Sequence, residues 1–133
     1  MDYTTTHLNV LVRYNASGMV LHVDFDAAYL VLPKARSRIA GCFQLSNHPN
    51  NNHAIFLNGS ILVVCKHIQH VVSSAEESEN AGVFYNFQLA IPIRCMLKAL
   101  NHPIQKLQLR LITPQQMASF TITSIKNDLN RGT

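Results

Sequence analysis

The hydrophobic period of this chain changes once, just after Val71-Val72, and that change sets the class of fold it can adopt. Before it, short apolar stretches rich in β-branched and aromatic residues are separated by turn signals. After it, Ser74 and Glu77 open a segment whose apolar residues recur at helical spacing. The stretch Met19 to Phe25 follows the turn sequence Asn15-Ala16-Ser17-Gly18 and reads as a strand with Asp26 at its end. Ala40 to Leu45 is a second short strand. Ala54 to Leu57 and Ser60 to Cys65 flank Asn58-Gly59, a dipeptide suited to a two-residue hairpin turn because both residues tolerate positive φ.

Ser74 is placed to cap a helix, with Glu77 three residues later completing a capping box. The spacing predicts a helix from Ala75 toward Leu100, with Val83, Phe84, Phe87, Ile91, Met96 and Leu100 on or near one face and a kink or interruption at Pro92. Leu107 to Ile112 alternates leucine with polar residues, as a half-buried strand does. Pro114 suits a first helical turn, so Gln115 to Asn127 is expected to be a second helix. The order strand, strand, strand, helix, strand, helix defines one α/β layer with a mixed sheet.

A length of 133 residues fits one domain, and 47% hydrophobic against 14% charged residues is sufficient for a packed core. No apolar run is long enough to cross a bilayer, and the start, Met1-Asp2-Tyr3-Thr4, lacks the basic and apolar regions of a secretory signal. The expected location is therefore intracellular, cytoplasmic or nuclear, with no membrane partner. Cys42, Cys65 and Cys95 are odd in number and sit among apolar neighbours, so they read as reduced core residues. The seven histidines show no zinc-finger spacing.

The net charge of +4 reflects a deficit of acids as much as a surplus of bases. Its densest basic group is Lys34, Arg36 and Arg38, in a stretch that reads as a loop after Pro33. A solvated turn and a phosphate contact explain that group equally well on charge alone.

Two-metal phosphodiester hydrolysis needs three or four carboxylates converging on paired magnesium ions. Seven acids are available: Asp2, Asp24, Asp26, Glu76, Glu77, Glu79 and Asp128. An aspartate near a strand end and a glutamate one turn into the next helix can point into one crevice. Capping equally accounts for Glu77, and the helix dipole for Glu79.

The stretch Val20-Leu21-His22-Val23-Asp24-Phe25-Asp26-Ala27-Ala28-Tyr29-Leu30, followed by Pro33-Lys34-Ala35-Arg36-Ser37-Arg38, resembles the opening of copia-type (Ty/copia) retrotransposon ribonuclease H domains. Ser73-Ser74-Ala75-Glu76-Glu77-Ser78-Glu79, Gly82-Val83-Phe84-Tyr85-Asn86 and Ile91-Pro92-Ile93-Arg94 are similar to later parts of the same family. The resemblance implies a ribonuclease H-like mixed sheet flanked by helices over residues 19–133. It also makes residues 1–18 a tether of the kind that joins the domain to reverse transcriptase in a Pol polyprotein.

The resemblance implies catalytic roles for Asp26 and Glu79, with Asp24 a further metal ligand, Mg2+ as the ancestral cofactor and an RNA/DNA hybrid as substrate. Lys34, Arg36, Arg38 and Lys66 are the expected nucleic-acid contacts. Where the family has Thr-Asp-Asn, this chain has Thr113-Pro114-Gln115, so one acidic ligand is replaced by a residue with no side-chain donor or acceptor. The chain also stops before the family's last acidic segment, which makes the expected domain incomplete at its C-terminus. The resulting expectation is a domain without useful hydrolysis. The alternatives are a non-catalytic nucleic-acid-binding module using Lys34, Arg36, Arg38, Lys66 and His67, and an active enzyme that recruits Asp128 to Asp24, Asp26 and Glu79.

Overall fold

A computed structural model describes residues 6–48, 58–102 and 107–112, together with the backbone of 117–122. They form five strands and one long helix: β1 (Val20–Leu32), β2 (Arg36–Ser46), β3 (Ser60–His67), α1 (Ala75–Ala99), β4 (Leu107–Ile112) and β5 (Met117–Ile122). The strand order is β3-β2-β1-β4-β5. β1, β2 and β3 form an antiparallel meander, β4 lies parallel to β1 after the helical crossover, and β5 returns antiparallel to β4. This is an α/β mixed sheet.

Alternation along the strands decides which side chains face α1. On β1, Leu21, Val23 and Phe25 pair across to Leu45, Phe43 and Gly41, and Val23 and Phe25 also lie opposite Leu109 and Leu111 of β4. These side chains join Leu107 and Ala90 in the main core, with Val83, Phe87, Leu89, Ile93 and Leu97 of the helix packed against it. A second cluster of Ile39, Ile68 and Val72 lies under Ala81 and Tyr85.

The buried line of α1 consists of Ser78, Gly82, Asn86 and Ala90, small or polar residues four apart that let the helix sit close to the sheet. A methyl group on Gly82 would already touch Ile39, Phe25 and Ala27. Of the residues expected on the packed face, Phe84, Ile91, Met96 and Leu100 are exposed instead. Large side chains there would hold the helix off the sheet, and the close-packed line occupies that side.

The expected cap is present. Ser74 accepts from the Glu77 amide at 3.1 Å, while the Glu77 carboxylate accepts from the amide and hydroxyl of Ser73 at 2.6 and 2.7 Å, one residue earlier than a standard capping box. α1 runs through Pro92 without ending. Pro92 and Gln88, whose carbonyl loses its amide partner, are both on the exposed side, where water can serve that carbonyl. The helix closes with Asn101 at φ 63, its amide bonded to Lys98 O and the His102 amide to Leu97 O, a Schellman arrangement.

Three further expectations change. β1 continues through Asp26 to Leu32, so Asp26 lies within the strand. Arg36 and Arg38 belong to β2, and Lys34 alone of the three basic residues lies in the connecting turn, at φ 63. The alternation Ser37, Ile39, Gly41, Phe43 toward the helix carries β2 back to the turn. Finally, Met117–Ile122 is strand β5, not part of a helix from Gln115 to Asn127. Pairing gives the β4 backbone an outer partner, and β-branched Thr121 and Ile122 favour it. The strand expected over Ala54 to Leu57, and Pro114, Gln115 and Asp128, lie outside the described residues. Cys65 and Cys95 are exposed; Cys42 alone is partly buried.

Candidate functional site

The sheet face opposite α1 carries the even-numbered residues of β1, β2 and β4. Register puts Asp24 between Cys42 of β2 and Arg110 of β4, and His22 between Gln44 and Gln108. Asp24 is buried and fully engaged. Its Oδ1 accepts from Arg110 Nε at 2.7 Å, and its Oδ2 from Arg110 Nη2 at 2.8 Å and Gln44 Nε2 at 3.1 Å. The planar guanidinium fork matches the two carboxylate oxygens, which makes this a strong form of ion pair.

The network extends outward. Gln44 Oε1 accepts from the Asn58 amide at 3.0 Å, and the Asn58 side chain accepts from the Asn15 amide and donates to Asn15 O and Leu45 O. With Gly59 N bonded to Arg13 O and Tyr14 Oη to Ser60 O, these contacts hold residues 13–15 against the start of β3. Beneath that segment is an open cavity of about 550 Å³, lined by Leu11, Val12, Asp24, Cys42, Gln44 and Ser60 among others.

Two titratable groups on this face are perturbed. Burial lowers the His22 pKa, and its Nε2 donates to Asn47 O at 2.9 Å, which fixes the proton on that nitrogen. Burial, and then the negative charge of Asp24, push the Cys42 thiol upward.

Asp26 shares the face of Asp24 but is exposed, its Oδ1 accepting from the Ala27 amide at 2.8 Å. Glu79 is on α1, beside the buried line, and so on the other side of the sheet. Asp26 and Glu79 therefore start from opposite sides of the sheet. Asp24 offers no free oxygen pair, and a divalent ion beside it would meet the Arg110 cation. Asp24, Asp26 and Glu79 as arranged do not fit a shared magnesium ion, and the described residues contain no group of three or more His, Cys, Asp or Glu placed to hold one.

The basic residues divide as well. Arg36 and Arg38 are exposed on the open face, and His67 lies directly opposite Arg38. Lys66 lies opposite Ile39 on the helix side, with Nζ 4.9 Å from the centre of the Tyr85 ring. Lys66 is thus separated from the arginines it was grouped with.

Sequence reasoning missed Arg110 and Gln44. The available signal was an arginine on the polar side of the alternating Leu107 to Ile112 strand, a position that favours a carboxylate partner. Among the described residues no helix is long and apolar enough to cross a membrane. No protein-family model, curated protein or solved structure matches the chain.

Proposed function

We propose that this chain is a copia-type, retrotransposon-derived ribonuclease H-like domain that no longer cleaves RNA in RNA/DNA hybrids. Its motifs support that ancestry from Val20 to Arg94, and an antiparallel meander followed by a helix and a strand parallel to β1 is consistent with it. The observation that carries the loss of activity is the bidentate Arg110–Asp24 pair. It fixes a cation on the face where Asp26 would have to gather magnesium, and Pro114 stands where the family has a further acid. Mg2+ is then an ancestral cofactor and the reverse transcriptase part of a Pol polyprotein an ancestral partner, in an intracellular setting.

The test is incubation with a labelled RNA/DNA hybrid and magnesium or manganese, beside an Asp26→Asn, Glu79→Gln double variant. The expected result is no cleavage above that of the double variant. Metal-dependent cleavage that the two substitutions abolish would overturn the proposal.

A second reading, a non-catalytic nucleic-acid-binding module, draws on the exposed pair Arg36 and Arg38 with His67 alongside. It predicts hybrid binding that weakens steeply with salt and falls in an Arg36→Ala, Arg38→Ala variant, because phosphate contacts release counterions.

A further inference from the structure

The side of α1 turned away from the sheet carries a stripe whose residues match by type about its centre, apolar with apolar and small with small, while its two charged ends are opposite in sign. Residues 80–93 contain no charged side chain. On the outer face lie Glu77, Asn80, Phe84, Gln88, Ile91, Cys95 and Lys98, spaced three or four apart and all exposed. Phe84 is 64% and Ile91 46% exposed, although both sit in the middle of a 25-residue helix that is well packed on its other side.

About a point between Phe87 and Gln88 these residues form matched pairs. Phe84 and Ile91 are equally far from it, as are Asn80 and Cys95, and Glu77 and Lys98. Two such helices side by side and antiparallel would therefore set apolar against apolar, small polar against small, and acid against base, twice over. Parallel helices would set Glu77 against Glu77 and Lys98 against Lys98. Antiparallel pairing also opposes the two helix dipoles favourably.

We propose that a second copy of this chain docks on this stripe, antiparallel, with Phe84 against Ile91 of the other copy and Glu77 beside its Lys98, across a two-fold axis near Gln88. A two-fold interface uses one patch twice, so it requires this kind of self-complementarity. The polar Gln88 pair at the axis fixes register in the way one polar layer does in coiled coils, at a cost in affinity.

The test uses the full chain. Sedimentation velocity from micromolar to near-millimolar concentration should show a monomer–dimer equilibrium that weakens with salt and is lost in Phe84→Glu. Phe84 is exposed, and circular dichroism would check that this variant is folded. Register is tested separately by Asn80→Cys, whose new thiol should form a disulfide with the native Cys95 of the other copy under mild oxidation. Within one chain the two positions are about 22 Å apart along the helix, too far to be bridged. Covalent dimer in Asn80→Cys and its absence in Asn80→Cys, Cys95→Ser would support the arrangement. A chain that stays monomeric without cross-linking, or a dimer that survives Phe84→Glu, would overturn it.

Discussion

Replacing Arg110 by methionine removes one member of an ion pair whose side chains are 18% and 10% exposed, and leaves the Asp24 carboxylate with Gln44 as its remaining side-chain donor. Breaking a buried pair by removing one partner costs about 3 to 5 kcal/mol, because the other charge stays desolvated and uncompensated. The retained Gln44 bond and the residual exposure place this case at the lower end, about 3 kcal/mol. For a domain of this size that corresponds to a fall in melting temperature of roughly 6 to 15 °C. Removing both charges, in Asp24→Leu with Arg110→Met, leaves no orphan ion and should be within about 1 kcal/mol of the parent chain.

Urea unfolding followed by circular dichroism of the parent, both single variants and the double variant closes the cycle. With about 3 kcal/mol for each single substitution and about 1 kcal/mol or less for the double, the coupling between the two sites should be about 5 kcal/mol in magnitude. An Arg110→Met cost below about 0.5 kcal/mol, or a double variant as unstable as the sum of its singles, would refute the view that the pair is desolvated and mutually dependent.

Gly41→Ala should cost about 2 to 3 kcal/mol, since its methyl would lie 2.8 Å from Cγ of Asn86, a buried side chain that donates to Ala40 O and Gly82 O; adding Asn86→Ala should make the cost less than additive in thermal melts. The Glu77 pKa is lowered from 4.5, chiefly by the Ser73 amide and hydroxyl, so its contribution is present above 4.5 and is lost as pH falls through the folded value; Glu77→Gln should flatten that part of a stability–pH curve. Asn58→Ala removes the bonds to Asn15 and Leu45, and hydrogen exchange should show faster exchange of the Asn15 amide while the β1 amides are unchanged.

Local signals were legible wherever one residue's chemistry decides local backbone geometry. Ser74 and Glu77 mark the start of α1 because orphan amides need acceptors there, and leucine alternation marks β4. The packed face of α1 was not legible from hydrophobicity. A helix lying close on a sheet buries small residues directly beneath it, so the Ser78-Gly82-Asn86-Ala90 line carries little apolar signal while Phe84 carries much. The same reasoning explains β2: basic residues alternating with Ser37, Ile39 and Gly41 suggest a loop to a charge count and a strand to a period count, and the period is what the backbone follows.

The surroundings of Asp24 were not legible for a different reason. Asp24 and Arg110 are 86 residues apart, and their meeting depends on the parallel register of β1 and β4, which no local pattern encodes. Asp24 and Asp26 look equivalent in sequence because they share a strand face. One registers opposite Arg110 and is buried and paired, while the other lies two residues further along and is exposed. A shift of one residue in that register would turn Arg110 to the helix side and leave Asp24 without its cation. The apolar Leu107, Leu109 and Leu111 would then face away from the core, so the packing that selects the register also holds the arginine on the carboxylate.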